Sequence, residues 1–268
     1  LTITGQDLTI SQGAAVPTDL NYTVSGWKHN DASLGVAANP AALSNLALWL
    51  DASDSASVSH SSNAVSQWND KSGNNKHATQ LTTDSKPTLT SSALNGKSVI
   101  SFDGSNDYIS STGFSATQSY SIFLVAKTNN NTSGRDYLFD GLGSNNNHRS
   151  LIALDYSGKV QMYAYNTWAN TNLSTPTDYF IMSAVFNTSS SSLALNGTSV
   201  TGLSVGTSSL TNGIRIGVNC LASADYLDGN IAEFLILDET SSTDTIKKVE
   251  GYLAHKWGLT SSLPSNHT

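Results

Sequence analysis

Two loops gather side chains suited to gripping a small polar molecule. The stretch "DGLGSNNNHRSL" (140–151) holds Asp140, three asparagines ending at Asn147, then His148 and Arg149. "MYAYNTWANTN" (162–172) follows with Tyr163, Tyr165, Asn166 and Trp168. Planar amide, carboxylate and guanidinium groups engage neighbouring hydroxyls, and aromatic faces cover apolar C–H surfaces, so this mixture suits a sugar. Trp168 lies between turn residues, whereas Trp49, Trp68 and Trp257 sit in patterned elements. Trp168 or Tyr165 is therefore expected to stack on a sugar face, although a loop Trp folded over a strand can serve packing alone. "CLASADYLDGN" (220–230) adds Asp225, the residue there most expected to be exposed.

A third stretch, "SQWNDKSGNNKHATQ" (66–80), has the ingredients of a cation site. Calcium takes six to eight oxygens from carboxylates, amides and backbone carbonyls on a tightly bent chain. Asp70, Gly73, Asn74 and Asn75 supply a carboxylate, two amides and a bend. A polar turn held by Asn and Asp side chains bonded to their own backbone accounts for the same residues. In "FDGSNDY" (102–108), Asp103 and Asp107 could hold a second ion, but a turn capped by Asp103 explains them more simply. His77 has no second His or Cys at zinc spacing.

The chemistry of catalysis is harder to find. Only three of the 20 acidic residues are glutamates, Glu233, Glu239 and Glu250. A jelly-roll glycosidase needs two carboxylates a few residues apart on one strand, and no such strand is present. Three arginines, Arg135, Arg149 and Arg215, make an incomplete lyase arrangement, and no G-x-S-x-G elbow occurs. A binding module, not an enzyme, is the expectation.

The elements that must position these loops are strands. Period-two runs recur at "SVISF" (98–102), "YSIFLVAK" (120–127), "SLIALD" (150–155), "KVQMYAY" (159–165), "DYFIMSAVF" (178–186), "GIRIGV" (213–218) and "IAEFLILD" (231–238), each bounded by Gly, Asn, Asp or Ser. Asn196-Gly197 supplies the positive φ angles of a primed hairpin turn. The pattern predicts an all-β, two-sheet antiparallel sandwich. Two segments break the rhythm. Asn39 and Pro40 predict a short helix leading into a strand at Trp49. Residues 243–257 predict one amphipathic helix, with Ile246, Val249, Leu253 and Trp257 on one face and Gly258 past its end.

Composition sets further limits. The chain has 268 residues, 12% of them charged, and a net charge of −7, which excludes the basic footprint a nucleic-acid partner needs. The single cysteine, Cys220, cannot close an internal disulfide and is expected as a small buried residue. No apolar run approaches the roughly 20 residues of a membrane span, so no membrane insertion is expected.

From "LWLDASD" (48–54) onward the chain resembles the concanavalin A-like, laminin-G-type (LamG-like) jelly-roll modules of bacterial adhesins. The motifs that carry this resemblance are "VSQWNDKSGNNKHATQ" (65–80), "KPTL" (86–89), "NGKSVISFDGSNDYI" (95–109), "DGNIAEFLILD" (228–238) and "VEGYLAHKWGL" (249–259). It implies a jelly-roll domain over 44–259, followed by a tail at 260–268. It also implies a structural Ca2+ held by the loop at Asp70, Gly73, Asn74 and Asn75 together with Glu233. Residues 1–38 resemble part of a small Ig-like bacterial surface repeat, which would make that repeat a split domain. The resulting expectation is a calcium-dependent, lectin-like module, monomeric within a longer chain of a secreted or cell-surface adhesin. Its ligand would be a glycan or polysaccharide on a cell or biofilm surface, bound by Asp140, Asn147, His148, Arg149, Tyr163, Tyr165, Trp168 and Asp225. The alternative is a structural spacer or a protein-docking module.

Overall fold

The computed structural model describes residues 39–129, 135–145, 149–155, 157–221 and 225–267. The Ig-like segment at 1–38 and the ligand candidates Asn147 and His148 lie outside the described residues.

After a 3-10 turn at Pro40–Ala42, the strands run β1 Leu46–Asp51, β2 Val58–Ser61, β3 Ala64–Trp68, β4 Ala78–Thr79, β5 Thr88–Leu94, β6 Lys97–Asp103, β7 Ile109–Thr112, β8 Tyr120–Thr128 and β9 Asp136–Gly141. They continue as β10 Ser150–Leu154, β11 Lys159–Ala164, β12 Thr167–Ser174, β13 Phe180–Phe186, β14 Ser191–Leu195, β15 Thr198–Leu203, β16 Gly213–Ile216 and β17 Asp228–Leu237. One helix, α1 Thr243–Trp257, follows.

All pairings are antiparallel. One layer centres on β17, which pairs with β1 and β6 on one side and β8 on the other, and continues through β13, β14 and β15. The second layer runs β2, β3, β4, β7, β16, β9, β10, β11, β12. A single β3–β5 bridge, Ala64 opposite Thr88, joins the layers at one edge. The fold is the all-β sandwich with one helix that the alternation predicts.

The alternation also explains the core. In β8, Ile122, Leu124 and Ala126 enter the main core, while Phe123 and Val125 face the other way. That second face would be exposed without α1. Val249, Leu253, Ala254 and Trp257 of the helix cover it, with Ile246 partly buried beside them. The Ser242 hydroxyl accepts from Thr245 N–H at 3.1 Å, and Gly258 ends the helix at φ 73°, a left-handed conformation that costs glycine nothing. At Asn196-Gly197 both φ angles are positive, 47° and 73°, as the β14–β15 turn requires. Residues after the helix fold back on it: Leu263 packs against the same cluster, and His267 Nε2 lies 2.6 Å from Glu250 Oε2.

Candidate functional site

Strands β9 to β12 form a meander whose inward residues, such as Leu138, Ile152 and Met162, fill the core. Their other face carries Tyr137, Leu151, Ala153 and Tyr163, with Trp168 packed against them. Tyr137 and Asp140 are three residues apart, so a regular strand would send them to opposite faces. A bulge in the β9–β10 register, between Ile152 and Ala153, puts Tyr137 opposite Ala153 and Asp140 opposite Leu151, hence both on the outer face.

This face floors a cavity of about 480 Å3 lined by Arg135, Tyr137, Arg149, Tyr163, Asn166, Trp168, Asn219, Leu221 and Asp225. The Arg135 guanidinium carbon sits 4.4 Å from the Trp168 ring centre, and the Tyr163 ring is tilted against Trp168 at 4.9 Å. Arg149 Nη1 donates to Asp140 Oδ2 at 2.5 Å and to Asn219 Oδ1 at 2.9 Å. Asn219 Nδ2 in turn donates to the Tyr137 hydroxyl and to Asp225 Oδ2, both at 3.3 Å. Tyr165 and Asn166 take positive φ, 44° and 58°, at the tip of the β11–β12 hairpin. There the Asn166 side chain and N–H both bond the Tyr163 hydroxyl.

Electrostatically the cavity is unsettled. Burial pushes the Asp140 carboxyl up to about 6, against the pull of Arg149. Burial also pushes the Cys220 thiol up to about 11, with the nearby Asp140 adding to it. Two buried atoms, Arg149 Nε and Asp140 Oδ1, have no hydrogen-bond partner.

Four expected ligand residues, Arg149, Tyr163, Trp168 and Asp225, come together here. Two do not. Asp140 is fully buried beneath Arg149, so it orients the guanidinium and cannot meet a hydroxyl itself. Tyr165 is 49% exposed at the hairpin tip and does not line the cavity. The Trp168 ring also carries the Arg135 guanidinium, so the indole is a platform for a cation. Tyr137, Asn219 and Leu221 were not legible as site residues, because the bulge and the turn after β16 bring them in.

The second cluster of interest surrounds Glu233. Its Oε1 accepts from Trp49 Nε1 at 2.7 Å and the Tyr252 hydroxyl at 2.9 Å. Its Oε2 accepts from Trp257 Nε1 at 2.7 Å and Lys256 Nζ at 2.8 Å. Lys256 Nζ also lies 2.7 Å from Asp51 Oδ1, and Lys71 Nζ 2.9 Å from Asp51 Oδ2. Burial raises the Glu233 carboxyl. Burial works the same way on Asp51, but Lys256, Ser53 and Lys71 outweigh it and hold Asp51 below its ordinary value.

Asp70, meanwhile, accepts from the N–H groups of Trp49, Ser72 and Lys76 and from the Ser72 hydroxyl. Asn74 Nδ2 donates to the carbonyls of Leu46 and Ala47. These residues do not fit the calcium expected from Asp70, Gly73, Asn74, Asn75 and Glu233. Asp70 is saturated by donors from its own turn and from Trp49 of β1, and the Lys256 ammonium stands between Glu233 and Asp51. Among the described residues no group of three His, Cys, Asp or Glu is arranged to hold a metal ion. Asp103 caps its turn as the sequence suggested, accepting from Ser105 and Asn106 N–H.

No protein-family model matches the sequence, and no curated protein is similar to it. Solved structures share its fold at low identity. A GH54 α-L-arabinofuranosidase variant soaked with 4-nitrophenyl α-L-arabinofuranoside aligns with TM-score 0.56 and 15% identity, over 72% of this chain and 51% of its own. Trypanosoma rangeli sialidase in complex with sialic acid aligns with TM-score 0.55 and 10% identity, over 79% of this chain and 33% of its own. This chain thus spans about a third to a half of those two proteins. Domain 4 of an extracellular GH43 arabinanase from Geobacillus stearothermophilus, in complex with arabinotriose, matches at TM-score 0.54 and 16% identity, over 78% of this chain and 98% of that domain. These neighbours run against the expectation of a binding module that is not an enzyme: the β-sandwich fold is one that glycoside hydrolase chains carry.

Proposed function

We propose that residues 39–267 form a carbohydrate-binding domain and that the cavity on β9–β12 is its ligand site. The observation that carries this reading is the cavity itself. Aromatic rings, two guanidiniums, two amides and a carboxylate converge on a space of about 480 Å3, the mixture that hydroxyl-rich rings require. The sugar-complexed fold neighbours support the same reading. A single shallow site of this kind binds weakly, so placement in a many-copy surface adhesin, secreted and facing cell or biofilm glycans as the LamG-like resemblance implies, would raise its avidity.

The test is a glycan panel read by calorimetry, with Trp168→Ala and Arg135→Ala beside the native protein. Both variants should lose about 1–3 kcal/mol of binding, since removing either partner breaks the stacked pair that walls the site. A glycan bound equally well by both variants would place the site elsewhere on the sandwich.

A further inference from the structure

Arg149 is 5% exposed, yet only part of its guanidinium is used. Nη1 faces Asp140, Asn219 and the Cys220 sulfur, the last at 3.9 Å. Nε is buried without a partner, and the bonds that Arg149 makes to described residues all come from Nη1. Nε–H and the Nη2–H beside it form the planar, two-pronged edge with which arginine grips a carboxylate. An unpaired buried donor of a charged group is costly, so a guanidinium in a cavity wall with such a donor is a place where a ligand can complete the bonding.

The charge distribution agrees. The chain carries a net −7 and only three arginines, yet two of them, Arg135 and Arg149, line this cavity. Neither is spread on the surface for general attraction: Arg135 lies on Trp168, and Arg149 is held by Asp140 and Asn219. The holding matters because a guanidinium fixed from behind presents its free edge in one orientation, with little ordering left to do on binding.

Resting on the carbohydrate-binding reading above, we infer that the ligand is an acidic sugar, its carboxylate received by the Arg149 guanidinium. Arg135 supplies a second positive charge, and Asn166, Asn219 and Asp225 lie where ring hydroxyls can meet them. Uronic acids and sialic acids share this chemistry, and the ligands tested must separate them.

The experiment uses the native protein with polygalacturonate, alginate and sialyllactose, each beside its carboxyl-reduced counterpart. At least one acidic ligand should bind tenfold or more tightly than its reduced form, and which one does identifies the class. Arg149→Lys, which keeps the charge opposite Asp140 but removes the planar edge, should erase that preference with little change in melting temperature. Equal binding of an acid and its reduced form would overturn the acidic-sugar inference and leave the carbohydrate site standing. Preference for a sulfated galactan over all the carboxylates would overturn it too, and binding of no glycan at all would remove both. Should Arg149→Lys fail to fold, the comparison of acid with reduced ligand on the native protein decides alone.

Discussion

Two buried charge clusters in this sandwich are built on opposite terms. Around Glu233, two indole N–H groups, a tyrosine hydroxyl and an ammonium take up both carboxylate oxygens, and Asp51 shares the same ammonium. Around Arg149 the bonding stops short, with Nε of the arginine and Oδ1 of Asp140 left over. A saturated cluster has nothing to offer a visitor and serves the fold. A cluster with a buried donor and a buried acceptor unpaired beside a cavity has bonding left to complete. The two were hard to rank by residue type alone, since each combines acids, a base and aromatics.

The contrast can be broken at either end. The largest effect should come from Lys256→Met, which leaves buried Glu233 without its cation and Asp51 with Lys71 alone. Breaking a buried pair by removing one partner costs about 3–5 kcal/mol, measured by denaturant unfolding. A loss under about 1 kcal/mol would mean the ammonium is dispensable and the cluster is not structural.

At the other end, Asn219→Ala removes the amide that links Arg149, Tyr137 and Asp225, and should cost about 1–3 kcal/mol of glycan binding. Its effect on unfolding should be clearly smaller than that of Lys256→Met, and the reverse order would erase the distinction between the two sites.

A weaker but sign-specific effect lies in pH. Asp51 is held below its ordinary value, so its contribution to stability is present above 3.8 and lost as pH falls through its lowered native value. Asp140 is raised from 3.8 to about 6, so its contribution is greatest at low pH and is lost as pH rises across that window. Asp140→Asn should flatten the stability curve between about pH 4 and 6, whereas Asp51→Asn should flatten it only toward the acid end. Identical curves for the two variants would show that the clusters titrate alike. The smallest effect expected is from calcium: with Asp70 saturated and Lys256 between the acids, neither millimolar calcium nor chelator should move the melting temperature, and a clear rise with calcium would show a site these residues do not form.

Much of the fold was legible because it is written in local rules. The alternation of β8, the Gly258 stop of α1 and the Asn196-Gly197 turn each depend on a few neighbouring residues. The site was legible where it depended on surplus: Tyr163, Trp168, Arg149 and Asp225 stood out as polar and aromatic groups the core pattern did not use. It was hidden where it depended on register or distance. One bulge places Tyr137 beside Asp140, and the turn after β16 delivers Asn219 from a strand paired with β9. Glu233 was singled out only through the calcium that the resemblance implies; its partners come from β1 and α1, and no spacing rule links Trp49 to Lys256. The misfit of these residues with the expected calcium has that origin, because a competing cation is already in the chain.

Lys256 is a counter-ion on a leash. A dissolved ion reaches its site according to its concentration, and dilution or a competing chelator empties it. The Lys256 ammonium rides on the helix that packs against the sheet holding Glu233, so its local concentration is set by tether length and by folding itself. The neutralising charge therefore arrives in the same cooperative step that buries the acids, whatever free cations the solvent holds.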